Sequence, residues 1–163
     1  MNKKGVTLLE LMIVIAVIAL LVIIAVPRFS DLVNKSREGA TKNALSTVRA
    51  AIQVYYGDND GWFPASANAL DSLLLNGKYL NEMPIAKVPG TGHADASVVR
   101  YFSTEINGVP VGGAGGGLFG VFGAIDQGGW AYMCDNTQPA YWGLFMVNCT
   151  HKDIKGETSW TGF

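Results

Sequence analysis

One acidic residue in the N-terminal part of this 163-residue chain lies where an acid is costly. Glu10 is the only charged residue within residues 6–26. An ionised carboxylate at the centre of a membrane-spanning helix costs about 2.5 to 3.5 kcal/mol, and such residues usually have a function. Glu10 lies near one end of the apolar run, so we expect a smaller cost but still a partner. The alternative is a tolerated glutamate that reaches water at the membrane surface.

The residues around Glu10 allow three interpretations of the N-terminus. A secretory signal peptide would end in small residues before a cleavage site, but this run ends in AVPR at residues 25–28. A plain transmembrane anchor fits the ~20 residues needed to span a membrane, with Lys3 and Lys4 holding the N-terminus in the cytoplasm. That anchor leaves Gly5 and Glu10 unexplained. The third interpretation is an anchor preceded by a short leader that is cut at Gly5.

Residues 3–11, KKGVTLLEL, resemble the processing and assembly motif of type IV pilins and type II secretion pseudopilins. In that family a prepilin peptidase cuts after the glycine and methylates the new N-terminal amine. The resemblance implies processing between Gly5 and Val6. Glu10 then becomes the fifth residue of the mature chain, which is the family's position for this glutamate. Val6 departs from the family pattern, in which the first mature residue is usually phenylalanine.

The resemblance also implies a fold, an assembly contact and a set of partners. It predicts an α+β type IV pilin fold, with a long N-terminal helix packed on a small head that contains an antiparallel sheet. Glu10 of one subunit would meet the Val6 amine of a neighbour as the apolar helices bundle. The implied partners are the prepilin peptidase, identical or related pilin subunits in a homopolymer, and an inner-membrane assembly platform. The single-pass precursor would reside in the inner membrane, then join an extracellular pilus or a periplasm-spanning pseudopilus.

Four segments follow from the residue pattern. They are a leader (1–5), an apolar transmembrane or filament-core part of the helix (6–27), an amphipathic part of the helix (28–57) and a globular head (58–163). Pro27 is expected to bend the helix, because proline removes a backbone hydrogen bond. Apolar residues at three- and four-residue steps predict one buried stripe after the proline. Its members are Phe29, Leu32, Val33, Ala40, Ala44, Val48, Ala51, Ile52 and Tyr55.

Within the head, the pattern predicts strands at residues 98–102, 130–133 and 144–148. A glycine-rich segment, 112–129, precedes the second of them. Residues 115–120 formally match G-x-G-x-x-G, but the strand–helix context that gives this pattern its meaning is absent. The glycine-rich segment is either a mobile surface loop or a set of closely packed strands in which glycine permits bends.

Cys134 and Cys149 are the only two cysteines. Type IV pilins often carry a C-terminal disulfide loop, and a cysteine pair outside the cytoplasm is normally oxidised, so a Cys134–Cys149 disulfide is predicted. A simple hairpin of residues 130–134 and 144–149 would conflict with this bond. It would hold the two cysteines out of register, beyond the Cα separation of ~4.4 to 6.8 Å that a disulfide needs. A bridge therefore requires a less regular loop.

The remaining candidates for chemistry are weak. No nucleophile–base pair, metal-ligand spacing or phosphate loop stands in a suitable context, so we predict that the protein is not an enzyme. His93 and His151 lie far apart in sequence, and no metal site is predicted from them. Asp153 and nearby polar residues resemble the calcium-binding end loop of major pseudopilins, which makes calcium the one cofactor to consider. A formal net charge of -1 gives no indication of a nucleic-acid partner.

These observations favour a structural subunit of a type IV pilus-like filament. A major pseudopilin of a type II secretion system is the alternative within the family, favoured by the patterns in residues 62–84 and 128–148. A different class of protein is also considered, namely a single-span, membrane-anchored extracytoplasmic binding module that never polymerises. That alternative predicts an uncut Gly5 and a dispensable Glu10.

Overall fold

The structure is a computed structural model that describes residues 5–65, 69–102, 105–106, 109–110, 126–137 and 139–163. The chain divides into two compact units, Met1–Ser36 and Arg37–Phe163. Most of the glycine-rich segment, residues 112–125, lies outside the described residues, so neither interpretation of it is tested. The predicted leader is described only at Gly5.

The longest element is helix α1, Leu8–Asp58, which continues through Pro27. By length and composition it can cross a membrane. The bend predicted at Pro27 stays a prediction. At its C-terminal end the chain turns through Asp60 and Gly61, whose φ angles are +52° and +83°. These left-handed conformations end the helix, as expected for the turn residues GDNDG at 57–61.

In the second unit, α1 buries one face against the head. The buried residues are Thr41, Leu45, Val48, Ala51 and Ile52. Thr41 is polar but satisfied, because its hydroxyl donates to the Lys87 carbonyl at 2.6 Å and accepts from the Lys87 amide at 2.8 Å.

The prediction of one buried stripe is wrong for the first residues of that stripe. Phe29, Leu32 and Val33 are exposed, and so is Ala40. Among the described residues of α1, the first buried residue is Thr41, which bonds to the backbone of Lys87. An apolar pattern on a helix shows which face is apolar but not what covers it. Phe29, Leu32 and Val33 thus form an apolar face that the isolated chain leaves open.

The head contains a three-stranded sheet in the order β1–β4–β5. These strands are Val99–Phe102, Trp130–Met133 and Phe145–Val147, which confirms the three predicted strand positions. Strand β4 pairs antiparallel with β5, and Trp130 lies opposite Val147. Strand β1 pairs parallel with β4. The α+β fold class is confirmed, but the sheet is mixed and the expected antiparallel pairing is wrong for β1 and β4. Residues 103–129 provide the long connection that a parallel pair requires.

The other elements are short. Strands β2, Glu105–Ile106, and β3, Val109–Pro110, form an antiparallel pair that the sequence pattern did not predict. Helix α2 spans Asp71–Leu74, and single 3₁₀ turns occur at Leu75–Gly77 and Trp160–Gly162.

The core of the head lies around strands β4 and β5. All four residues of β4 are buried, and the Trp130 ring stacks on the Phe145 ring at 5.1 Å. Two large side chains of this core have partners for their polar atoms: Trp130 donates from Nε1 to the Pro84 carbonyl at 2.7 Å, and Tyr132 donates its hydroxyl to the Pro64 carbonyl at 2.8 Å. Arg49 on α1 donates from Nε to the Phe145 carbonyl at 2.9 Å. The sheet is thus tied to the helix and to the loops by satisfied hydrogen bonds.

Gly129, directly before β4, is expected to be one of the positions in the head that tolerate substitution least. Its φ is +72°, and a Cβ there would lie 2.6 Å from the Val98 carbonyl oxygen. Gly156 has the same φ of +72°, but its Cβ would have no heavy atom within 4 Å among the described residues. We expect Gly156→Ala to destabilise the head by about 1–2 kcal/mol through backbone strain. Gly129→Ala should cost about 1–3 kcal/mol more, because the neighbouring backbone must move.

Unfolding of the full chain in detergent, followed by tryptophan fluorescence, measures this difference directly. Equal losses of stability in the two variants would show that the close approach to Val98 does not constrain the fold.

Candidate functional site

The first site is the N-terminal end of α1, where Glu10 is bonded to Thr7. The Glu10 Oε2 atom accepts hydrogen bonds from the Thr7 amide at 2.8 Å and from the Thr7 hydroxyl at 2.9 Å. The Thr7 hydroxyl in turn accepts from the Glu10 amide at 3.2 Å. Reciprocal bonds between residues three apart form a capping box, which satisfies amides that the first turn of a helix leaves free.

This cap was present in the sequence but missed by the motif analysis. Thr7-Leu8-Leu9-Glu10 follows the S/T-x-x-E pattern that marks a helix start. The carboxylate also lies at the positive end of the helix dipole. Both of its bonds to Thr7 use Oε2, so Glu10 has a local structural function and also an oxygen, Oε1, that can accept from a further donor.

Gly5 and Val6 lie immediately before the helix. Val6 has 78% of its surface exposed. A Cβ at Gly5 would meet no heavy atom within 4 Å among the described residues. The Gly5–Val6 bond is therefore not protected by packing within the described part of the chain.

The two cysteines do not form the predicted disulfide. Both are free thiols, Cys134 half-buried and Cys149 buried. Cys134 follows β4, and its thiol donates to the Phe102 carbonyl at 3.3 Å. Cys149 follows β5, which runs antiparallel to β4. The cysteines thus lie at opposite ends of this pair, separated by at least the four residues of β4, or about 14 Å at 3.4 Å per residue.

Cys149 instead belongs to a second cluster, which we call the His–Asp–Cys cluster and which consists of His93, Asp126, Cys149 and His151. The ligand atoms of these four residues all lie within 4.8 Å of one another. His93 Nε2 is 3.0 Å from Asp126 Oδ1 and 3.3 Å from His151 Nδ1. His151 Nδ1 is 3.2 Å from Asp126 Oδ2 and 3.6 Å from Cys149 Sγ.

The sheet register builds this cluster. The antiparallel alignment of β4 and β5 extends to Gly128 and Asn148, where the Gly128 amide donates to the Asn148 carbonyl at 2.9 Å. Asp126, two residues before Gly128, is thereby placed beside Cys149. Gly128 also makes room for His93, since a Cβ at this glycine would lie 3.0 Å from the His93 Cβ. The sequence analysis singled out three of the four cluster residues but left Asp126 out and did not bring them together.

Local contacts set the charge state of the two acidic members. Burial acts to raise the pKa of Asp126, but hydrogen bonds from the Thr150 amide and hydroxyl, and then attraction to His151 and His93, outweigh it, so this pKa lies below its ordinary value. Burial raises the pKa of the Cys149 thiol to about 11. The cluster therefore has an ionised carboxylate beside a thiol that by itself keeps its proton at neutral pH.

Asp153, the residue at which calcium was considered, accepts hydrogen bonds from its own loop. Its Oδ1 atom accepts from the Glu157 amide at 3.0 Å and from the Thr158 amide at 3.4 Å. The Lys42 ammonium lies 4.0 Å from its Oδ2. Amide donors and a lysine take the places that a Ca²⁺ ion would need. These contacts do not favour the calcium site that was considered at Asp153.

Comparisons with known proteins agree with the N-terminal geometry. Residues 1–26 match the family described as "Prokaryotic N-terminal methylation motif". The chain is 31% identical over 138 residues to the fimbrial protein EcpC of Eikenella corrodens, covering 85% of this chain and 86% of that protein. It is 30% identical over 100 residues to the type IV major pilin protein PilE of Neisseria gonorrhoeae, covering 60% of each.

A third similarity covers a shorter part of the chain. The chain is 33% identical over 67 residues to the ComG operon protein 3 homolog of Bacillus licheniformis, covering 41% of this chain and 69% of that protein. No solved structure matches the chain significantly.

The fold and the N-terminal site define a prepilin-type subunit, with an apolar helix that carries a methylation motif and a small α+β head. The chain belongs to the type IV pilin family. It is a structural subunit of a type IV pilus-like filament that is processed by a prepilin peptidase.

Proposed function

We propose that this chain is a major, shaft-forming subunit of a surface pilus and has no catalytic activity of its own. In this proposal the precursor is held in the inner membrane, cut between Gly5 and Val6, and methylated on the new Val6 amine. An inner-membrane platform then assembles it with identical subunits into an extracellular fibre. The segments 6–27 and 28–57 of α1 form the filament core and the link to the head.

The observation that carries this proposal is the exposed apolar surface of the first unit. From Leu8 to Val26 the apolar side chains of α1 are exposed in the isolated chain, and Leu8 itself is 76% exposed. Such a surface must be covered by lipid or by other helices. Phe29, Leu32 and Val33 extend the apolar face beyond Pro27. A helix that serves only as an anchor does not need this extension, whereas a bundle of subunits would bury it.

Glu10 supplies the register of assembly in this proposal. Its Oε2 atom is occupied by the Thr7 cap, which fixes the direction of the carboxylate. The Oε1 atom can then accept from the Val6 amine of a neighbouring subunit. Inside an apolar bundle a carboxylate and an ammonium each cost much free energy unless they are paired. Only a stagger that pairs them would be stable, so the ion pair would select one arrangement of subunits.

Intact mass and N-terminal peptide mapping of the native protein test the proposal, with membranes and sheared surface material analysed separately. We expect a chain that begins at Val6 and carries one methyl group, present in the sheared fraction. The same mature chain confined to the envelope would overturn the surface pilus in favour of a secretion pseudopilus. A full-length chain in both fractions would overturn processing itself and return the protein to an anchored module.

A further inference from the structure

We propose that His93, Asp126, Cys149 and His151 form a zinc-binding site in the head of the subunit. The site is independent of the N-terminal motif and of filament assembly. Two imidazoles, a thiolate and a carboxylate are the donors that zinc takes in proteins, and the ion commonly binds four of them in a tetrahedron. All four residues belong to the second compact unit.

Four of the distances between donors are close to those in a tetrahedron around zinc, and all donors lie within 4.8 Å of one another. With bonds of about 2.0 Å to nitrogen and 2.3 Å to sulfur, two nitrogens are separated by about 3.3 Å, and a nitrogen and a sulfur by about 3.6 Å. The two imidazole nitrogens are 3.3 Å apart, and Cys149 Sγ is 3.6 Å from His151 Nδ1. Asp126 oxygens lie 3.0 and 3.2 Å from the two nitrogens. Small movements of side chains would thus suffice to accept the ion.

Hydrogen bonds alone do not give every polar atom of the His–Asp–Cys cluster a good partner. His151 Nδ1 faces His93 Nε2, Asp126 Oδ2 and Cys149 Sγ within 3.6 Å. An imidazole nitrogen carries either one proton or one lone pair, so it cannot make a good bond to all three groups at once. A cation between these groups would accept a lone pair from each of them. Its binding would release the proton of the Cys149 thiol to the solvent.

The surroundings of the cluster also resemble those of a metal site. Thr150 donates its amide to Asp126 Oδ1 at 3.0 Å and its hydroxyl to Oδ2 at 2.8 Å, so the carboxylate is held in place by a neighbour that is not a ligand. Cys149 is buried and His151 is exposed, which gives an ion access from the solvent on the His151 side. Zinc would join three segments of the head, namely the loop before β1, the segment before β4 and the segment after β5.

The experiment uses the full chain without a histidine tag, purified in detergent and stripped of metal by a chelator. Zinc content and affinity are measured by native mass spectrometry and calorimetry, and Co²⁺ serves as the spectroscopic probe. The variants are His151→Ala at the exposed ligand, Cys149→Ser at the buried ligand and Thr150→Val beside Asp126. Cys134→Ser is the matched control, because it removes the other thiol.

We expect one zinc ion per wild-type chain and a Co²⁺ spectrum with tetrahedral visible bands and a thiolate charge-transfer band. Cys149→Ser should lose the charge-transfer band, and Cys134→Ser should keep it. His151→Ala should weaken zinc binding at least about 100-fold, and Thr150→Val about 10- to 100-fold. Zinc at about 100 times its Kd should raise the Tm of the wild type by roughly 5–10 °C, and leave that of His151→Ala unchanged.

Two results would overturn the site. One is a wild-type chain that binds less than one zinc ion with no rise in Tm, which would leave the cluster as a hydrogen-bonded group. The other is a Co²⁺ spectrum that is octahedral, or that Cys149→Ser leaves unchanged. His151→Ala reports on the site even if the buried Cys149→Ser variant fails to fold, since His151 is exposed.

Discussion

Glu10→Ala is expected to leave cleavage after Gly5 intact and to lower the yield of filaments at least about tenfold. Without the carboxylate, each Val6 amine in the filament would be buried among apolar helices without a counter-charge. Removing one partner of a buried ion pair costs about 3–5 kcal/mol, which is enough to explain the expected loss of filaments. Cleavage should continue because the Gly5–Val6 bond lies outside the contact that is removed.

Two further variants separate the charge of Glu10 from its capping function. Glu10→Gln keeps the capping box, in which glutamine replaces glutamate well, but it removes the charge. Thr7→Val keeps the charge and removes the hydroxyl that bonds to the carboxylate. Loss of a cap costs about 0.5–2 kcal/mol. We therefore expect Glu10→Gln to assemble as poorly as Glu10→Ala, and Thr7→Val to retain most of its filaments.

Sheared filaments quantified by immunoblot, with mature subunit in the membrane as the reference, measure these yields. Wild-type yield from Glu10→Gln would show that Glu10 acts as a helix cap and not through its charge. Wild-type yield from Glu10→Ala would remove both explanations of the residue.

Gly5→Val is expected to leave nearly all of the protein as full-length precursor in the membrane, with no filaments. The substitution does not disturb the described fold, because a Cβ at Gly5 has no heavy atom within 4 Å among the described residues. Its effect would therefore arise when the peptidase binds the chain, because glycine has no Cβ and lets another molecule approach its backbone closely. Intact mass distinguishes precursor from mature chain through the mass of residues 1–5 and the added methyl group.

Gly39→Val is the matched control, since a Cβ at Gly39 also has no heavy atom within 4 Å among the described residues. We expect this variant to be processed normally. Normal surface filaments from Gly5→Val, or equal accumulation of precursor in both variants, would contradict cleavage at this position.

Sequence reasoning succeeded where the signal is local. The apolar run and the strand patterns around Trp130 and Phe145 each depend on neighbouring residues, and both predictions are confirmed. The assembly role of Glu10 stays a prediction. The capping box of Thr7 and Glu10 was equally local and was missed because the motif was interpreted only for processing and assembly. The buried Thr41 was missed for another reason, since a pattern of apolar residues leaves out a polar side chain that is satisfied by a distant backbone.

Features that depend on pairing between distant segments were not predictable in this way. No local pattern shows that β1 runs parallel to β4. The antiparallel register of β4 and β5 continues to Asn148, which bonds to both Gly128 and Gly129. This alignment separates Cys134 from Cys149 and brings Asp126 to Cys149 instead. One register thus removes the predicted disulfide and creates the unpredicted His–Asp–Cys cluster. His93 and His151, 58 residues apart, meet only because both flank this sheet.

The most direct test of the central claim is a cryo-EM reconstruction of sheared filaments from cells that express this chain. The account predicts a homopolymer of the mature chain, with the apolar halves of α1 bundled at the axis and Phe29, Leu32 and Val33 covered by neighbouring subunits. Each Glu10 carboxylate should lie within hydrogen-bonding distance, about 3 Å, of a neighbouring Val6 amine. Density at the axis that places Glu10 away from every Val6 amine, or filaments built from a different chain, would contradict the account.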